Sequence, residues 1–253
     1  MKNYSYETVT SSLDEDGLRT LLLNRPQRLN AMNRQLLLDV TRAFDDANAD
    51  EATRVILFSG AGKAFCAGDD RHEHQHPASE AEAREFVEMI QDATRAIVLG
   101  EKPVVGAING WAVGGGFEWA INCDFPIWAQ SARGFFPEVS LNLFVTGGVT
   151  ALLPALVGLN RAREMLFLGE RYEAQALLEM GVAWRVAADD ELMDMARDVA
   201  LRLARQPGRS LLAMKRVLRH TGSTNFERAL QLESDATVEG FMDPLTTSLL
   251  KDF

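Results

Sequence analysis

Three consecutive glycines, Gly114-Gly115-Gly116, stand where an apolar helical stretch begins and runs on to Ile121. Glycines at a helix start let two backbones approach closely and leave N–H groups free to face a ligand. The triplet is not a phosphate-binding loop, because no Gly-Lys-Ser/Thr follows it. It lacks the G-x-G-x-x-G spacing of dinucleotide folds. Two readings stay open: an N–H-lined site for an anion or developing oxyanion, and a packing device where a helix crosses a strand.

A second turn of the same kind lies upstream, in Lys63-Ala64-Phe65-Cys66-Ala67-Gly68-Asp69-Asp70. Small residues after a strand let the chain turn sharply and expose N–H groups, as an oxyanion site requires. An ordinary strand-to-helix loop is the alternative. Glu118 lies one helical turn beyond Gly114-Gly115, among Phe117, Trp119, Ala120 and Ile121, and Glu138 lies in Phe135-Phe136-Pro137-Glu138-Val139. A carboxylate in apolar surroundings is costly without a partner or a task. Two such groups are what general acid and base chemistry needs, because desolvation raises their pKa toward neutrality. Burial against an arginine or helix capping is the competing account for each.

Around these signals the chain alternates short apolar runs with helical periodicity. Residues 18–23, 54–59, 103–108 and 123–128 read as strands bounded by turn residues. Residues 33–48 carry apolar side chains at 36, 37, 40, 43, 44 and 47, the spacing of a helix. Residues 79–99 read as a second helix, with Ser79 as N-cap and Glu82 as its capping-box partner. Beyond Pro137 the pattern is helical, over 147–157, 160–168, 173–180, 189–205, 208–221 and 225–250. Strands first and helices later predict an α/β body with a C-terminal helical region.

Bulk properties narrow the function. A net charge of −10 argues against non-specific nucleic-acid binding. Two cysteines, Cys66 and Cys123, are too few for a disulfide framework and fit no metal spacing. The first residues lack the apolar core of a signal peptide, and no apolar run of about 20 residues spans a bilayer. The expectation is a cytoplasmic protein with no membrane partner.

Five motifs in order and register then resemble one family: Leu23-Asn24-Arg25-Pro26 with Leu29-Asn30-Ala31-Met32-Asn33, Phe65-Cys66-Ala67-Gly68, Pro103-Val104-Val105-Gly106-Ala107-Ile108-Asn109-Gly110, Gly114-Gly115-Gly116-Phe117-Glu118 and Pro137-Glu138. Together they look like the enoyl-CoA hydratase/isomerase (crotonase) superfamily, over nearly the whole chain. The resemblance implies a crotonase-like spiral of ββα units over residues 1–200 and a helical trimerisation or lid region over 201–253, in one functional unit. It implies homotrimers or homohexamers and an acyl-CoA substrate, with no other cofactor and no metal. By position, the N–H groups of Asp69 and Gly115 would hold the thioester oxygen as it becomes an enolate. Glu118 would activate water and Glu138 would protonate C2. Arg28, Leu29 and Ala67 would meet the CoA, and Gly68, Gly114, Trp111, Asn142 and Thr146 would complete the substrate site. The activity so implied is 2-enoyl-CoA hydration, a hydro-lyase reaction. Δ3–Δ2 enoyl-CoA isomerisation is the alternative, and β-dicarbonyl C–C hydrolysis or acyl-CoA binding without catalysis lie further off.

Three features depart from the family pattern. Asp69 puts a carboxylate where a small apolar residue is common, so its side chain is expected to turn from the enolate. Asn142, Val145 and Thr146 replace small or cyclic residues after Glu138 and are expected to line or border the acyl pocket. His72-Glu73-His74-Gln75-His76 places alternating histidines after the oxyanion turn, read either as exposed loop residues or as metal ligands. His220 is read as a surface helix residue. Arg161, Arg163, Lys215, Arg216 and Arg219 are read as solvated helix faces, with contact to a CoA phosphate as the alternative. Cys66 is read as a packing residue, since no histidine is placed to activate it.

Overall fold

The computed structural model describes residues 4–222 and 226–252, with side chains at 219–222 left aside. Ten strands and ten helices are present among the described residues. They begin with β1 (Val9–Leu13), β2 (Leu18–Leu23), α1 (Arg34–Ala49), β3 (Val55–Gly60), β4 (Ala64–Cys66) and α2 (Glu80–Val98). Next come β5 (Val104–Ile108), β6 (Trp111–Val113), α3 (Gly115–Ile121), β7 (Phe125–Ala129) and β8 (Arg133–Phe135). The remainder is α4 (Val149–Val157), α5 (Leu159–Leu168), β9 (Tyr172–Glu173), α6 (Ala174–Met180), β10 (Arg185–Ala187), α7 (Leu192–Ala204), α8 (Gly208–Gly222), α9 (Phe226–Met242) and α10 (Pro244–Asp252).

The strands form two sheets, in the orders β1-β2-β3-β5-β7-β10 and β4-β6-β8-β9. The strands pair in parallel except for β1 with β2 and β8 with β9. Consecutive strands therefore alternate between sheets: β3 and β4, β5 and β6, and β7 and β8 each place one strand in either sheet, and α2 and α3 close the first two units. This is the spiral of ββα units expected from the resemblance. Every residue of β3 and β5 is buried, which is why these strands are continuous apolar runs rather than alternating ones.

The long helices follow their periodicity. α1 buries Leu36, Leu37, Val40, Ala43, Phe44 and Ala47, and the Asn33 side chain caps it by accepting from the Leu36 N–H. Ser79 caps α2 by accepting from the Glu82 N–H, while Glu82 accepts from Ala78 rather than from Ser79. The stretch read as one helix over 225–250 is two, because Pro244 has no N–H to continue the ladder and disfavours helical geometry at Asp243. α9 packs across α2 and α4, which brings the C-terminal helices beside the glycine turns.

Candidate active site

The two glycine turns are pressed together by contacts that only glycine permits. A Cβ on Gly116, in the first turn of α3, would strike the Cys66 carbonyl at the end of β4. A Cβ on Gly68 would lie 2.8 Å from the Val113 carbonyl oxygen at the end of β6. Backbone hydrogen bonds fix the first turn: Met32 N–H donates to Gly68 O at 2.7 Å, and Asp70 N–H donates to Met32 O at 2.8 Å. The Asp69 N–H between them has no acceptor among the described residues. Gly114 adopts φ +51°, open to glycine and strained for other residues. Its N–H donates to Phe135 O, and its carbonyl accepts from Phe117 and Glu118. The Gly115 N–H is likewise left without an acceptor.

Asp69 and Gly115 line one cavity of about 490 Å³. Arg28, Leu29, Ala67, Gly68, Trp111, Gly114, Glu118, Glu138 and Thr146 line it too. Sequence reasoning named all of these. It missed Arg71 and Arg171, which bring the cavity's arginines to three, and Phe241, which reaches it from α9. The Arg171 guanidinium stands 5.8 Å from the Trp111 ring and 5.1 Å from that of Phe135. Arg171 lies in the loop before β9, and no local pattern ties that loop to the glycines.

Asn142 requires a correction. It is left-handed at φ +56° and closes the short 3-10 turn that begins at Glu138. Its amide donates to Asp243 at 2.9 Å and Thr246 at 3.2 Å. Asn142 therefore faces the junction of α9 and α10 and does not line the cavity. Val145 is also absent from the lining and belongs to the hydrophobic core.

Glu118 is 1% exposed and held by a single residue. The Thr146 N–H donates to its Oε1 at 2.7 Å, and the Thr146 hydroxyl donates to its Oε2 at 2.6 Å. Burial pushes the carboxyl up to about 7, the Thr146 bonds draw it down, and the charge of Glu233 adds to the rise. The segment carrying Thr146 is itself built from buried side chains. Gln91 accepts from Gly147 N–H, and Glu233 accepts from Gly148 N–H and from both donors of Thr150. Glu138 is also buried, and its Oε2 has no hydrogen-bond partner among the described residues. Burial first, and then the charge of Glu118, hold its carboxyl well above the usual range. Two buried carboxyls that share one cavity thus both hold their protons to higher pH than a free carboxyl, as acid and base chemistry near neutrality requires.

Several motif residues are scaffolding. Arg25 donates to Ala31 O and pairs with Asp70 at 2.9 Å and Glu73 at 2.6 Å. Asn30 donates to Ala61 O and Ala64 O. Both fasten the 25–33 loop beside the Ala67-Gly68-Asp69 turn. Burial pushes the Cys66 thiol up to about 12, so it offers no thiolate. No group of three or more His, Cys, Asp or Glu residues suited to a metal, His72, His74 and His76 included, occurs among the described residues. Arg161 pairs with Glu164, and Lys215 donates to Lys102 O and to Asp124. Neither lines the cavity. The side chains of Arg219 and His220 lie outside the described residues. No helix among the described residues is long and apolar enough to cross a membrane.

Comparison with known proteins gives a consistent result. The family model described as enoyl-CoA hydratase/isomerase matches residues 14–243. Crotonyl-CoA hydratase of Syntrophomonas wolfei is 35% identical over 223 residues, covering 88% of this chain and 85% of that protein. The 1,2-epoxyphenylacetyl-CoA isomerase of Escherichia coli is 33% identical over 225 residues, covering 87% and 86%. A crystal structure of an enoyl-CoA hydratase from Mycobacterium avium subsp. paratuberculosis superposes with TM-score 0.89 at 26% identity, over 98% of this chain and 99% of that one.

Proposed function

The chain belongs to the enoyl-CoA hydratase/isomerase family, and on that premise we propose that it adds water across the double bond of a 2-enoyl-CoA. The single observation that carries this reading is the pair of buried carboxyls, Glu118 near neutrality and Glu138 well above the usual range, beside two N–H groups without acceptors. The thioester oxygen accepts from Asp69 N–H and Gly115 N–H. Glu118 takes a proton from water as the water oxygen attacks C3, and electrons move from the double bond onto the thioester as an enolate. Glu138 then gives its proton to C2, and the C–C–O framework returns to a thioester. The proton held by Glu118 passes back to Glu138 through solvent or substrate. Each oxyanion donor contributes about 3–4 kcal/mol to such a transition state.

Arg28, Arg71 and Arg171 support a CoA thioester as the ligand, since three cationic side chains meet one cavity on a chain of net charge −10. Arg171→Ala is expected to raise KM for an acyl-CoA about tenfold with little change in kcat, the worth of a lost charge-assisted contact. Equal KM values for the two proteins would remove Arg171 from CoA binding. Exposed Leu156, Leu159, Phe167 and Leu168 on α4 and α5 support a trimer or hexamer, to which the helical region from 201 onward would contribute. The buried, unpaired Cys66 and Cys123 fit the reducing cytoplasm.

Δ3–Δ2 isomerisation is the second reading. It is favoured by the unpartnered Oε2 of Glu138, which could carry a proton between C4 and C2 unaided, and by the two bonds that already occupy Glu118. The deciding experiment offers the purified protein a 2-enoyl-CoA, a 3-enoyl-CoA and a β-diketone, then repeats with Glu118→Gln. Loss of water addition in the variant supports hydration. Undiminished conversion of the 3-enoyl-CoA supports isomerisation, and cleavage of the diketone alone overturns both.

Thr146→Val gives a check on Glu118 itself. The substitution keeps the backbone N–H and the side-chain shape but removes the hydroxyl donor. That donor favours the ionised carboxylate, so its loss raises the Glu118 pKa. The rising limb of kcat/KM against pH is expected to move to higher pH. A limb that stays in place or moves to lower pH would count against Glu118 as the base.

A further inference from the structure

The histidine-bearing segment after the oxyanion turn takes no part in the chemistry above, yet it is held in one arrangement. Arg25 secures its start through Asp70 and Glu73, and His76 Nδ1 lies 3.0 Å from Thr247 Oγ1 on α10. Between these points the His74 ring stacks on Phe241 of α9, with centroids 5.4 Å apart and planes 27° from parallel. His74 Nδ1 stands 3.3 Å from Asp69 Oδ2, within ion-pair distance but outside hydrogen-bond geometry, and that oxygen has no other partner among the described residues; the His74 side chain is 7% exposed. Its Nε2 is buried without a partner among the described residues. His74 lines a second cavity and not the first, whereas Asp69 and Phe241 line both.

Asp69 presents a difficulty for an enolate site. The residue that offers its N–H to the forming negative charge also carries a carboxylate, and a carboxylate swung toward that charge would oppose it. A buried histidine that leaves Nε2 unpaired gives up a hydrogen bond. What the ring keeps in return is the contact of Nδ1 with Asp69 and the stack on Phe241. We propose that His74 is a positioning residue for the oxyanion turn: it anchors the Asp69 carboxylate against α9, so that only the Asp69 N–H faces the forming enolate. The C-terminal helices thereby set the competence of a turn more than 150 residues upstream, since His76 and Thr247 are 171 positions apart. The inference rests on the proposed enolate chemistry.

The test uses the full-length protein and two readouts: hydration of a 2-enoyl-CoA, and exchange of the C2 hydrogens of butyryl-CoA with D2O, which reports enolate formation without water addition. His74→Leu is expected to lower kcat in both by roughly 10- to 100-fold with KM within about twofold, the scale of losing part of an oxyanion contact. Adding Asp69→Asn restores most of that loss, because no carboxylate remains to be held. His74→Gln, which keeps an N–H donor, retains more activity than His74→Leu. If the double variant is no faster than His74→Leu, or if the loss appears only in KM or Tm, His74 is merely structural and the proposal is overturned. Should His74→Leu fail to fold, His74→Gln with and without Asp69→Asn makes the same comparison. No exchange by the unsubstituted protein overturns the enolate reading and this inference together; exchange without rescue overturns the role of His74 alone.

Discussion

Glu138→Gln is expected to reduce hydration by about 10²- to 10⁴-fold, the usual worth of a general acid, while making the protein more resistant to unfolding at neutral pH. Both effects have one cause. The Glu138 carboxyl is buried, its Oε2 has no partner, and the neighbouring Glu118 opposes a second negative charge. Such surroundings keep the proton on Glu138 well above the ordinary carboxyl value of 4.5, as the proposed role of proton donor requires. The same surroundings bind that proton more tightly in the folded than in the unfolded chain. The associated stability is present in full below about 4.5 and is lost as pH rises through the folded value. Glutamine carries no proton to lose, so its variant escapes this loss. Tm measured from pH 4.5 to 8.5 should show a gap between variant and parent that opens as pH rises. A gap independent of pH, or a variant less stable at pH 8, would mean that Glu138 is compensated by a contact not recognised at this site. Retained hydration would remove Glu138 as the proton donor.

What was legible in the sequence follows a physical rule. The glycine triplet, Glu118 and Glu138 each break the pattern of their own segment, because a carboxylate in an apolar run or a glycine at a helix start needs a local reason. Gln91 and Glu233 break none. They lie on the amphipathic helices α2 and α9, where a polar residue reads as solvent-facing, yet both are fully buried. Their partners, the amides of Gly147 and Gly148, are 56 and 85 positions away. Asn142 failed for the opposite reason. Nearness to Glu138 in sequence suggested the pocket, but a left-handed backbone turns its side chain toward Asp243 and Thr246. The paired strands of the spiral escaped notice because β4, β6 and β8 have three residues each, too few for alternation to register. The resemblance supplied the ββα architecture that periodicity alone did not.

Gly116→Ala is expected to be the most damaging methyl within the glycine triplet, and the three glycines should fail in different ways. At Gly116 the added Cβ meets the Cys66 carbonyl, a backbone group that moves only if β4 moves. Overpacking of this kind costs about 1–3 kcal/mol or more. In a domain of this size each kcal/mol lowers Tm by about 2–4 °C. Because Cys66 is three residues before Asp69, relief of the clash also shifts the Asp69 N–H away from that of Gly115. Turnover should fall by about 10² or more even in protein that stays folded, since sub-ångström placement governs such donors. At Gly115 the Cβ crowds the Met32 thioether, 3.0–3.1 Å away at the end of a flexible side chain, and lies in ordinary contact with Glu118 Oε2 at 3.8 Å. Gly115→Ala should keep Tm close to the parent. At Gly114 the substitution must hold φ +51° and would bring a Cβ within 2.7 Å of Glu138 Oε1, so strain and a displaced acid act together. Side-by-side Tm and kcat values for the three variants test this order. A Gly116→Ala protein as stable and active as Gly115→Ala would show that β4 and α3 tolerate separation. If the order holds, the two readings of the triplet were never rivals: Gly116 is the packing device, and by letting the backbones touch it sets the Gly115 N–H beside that of Asp69.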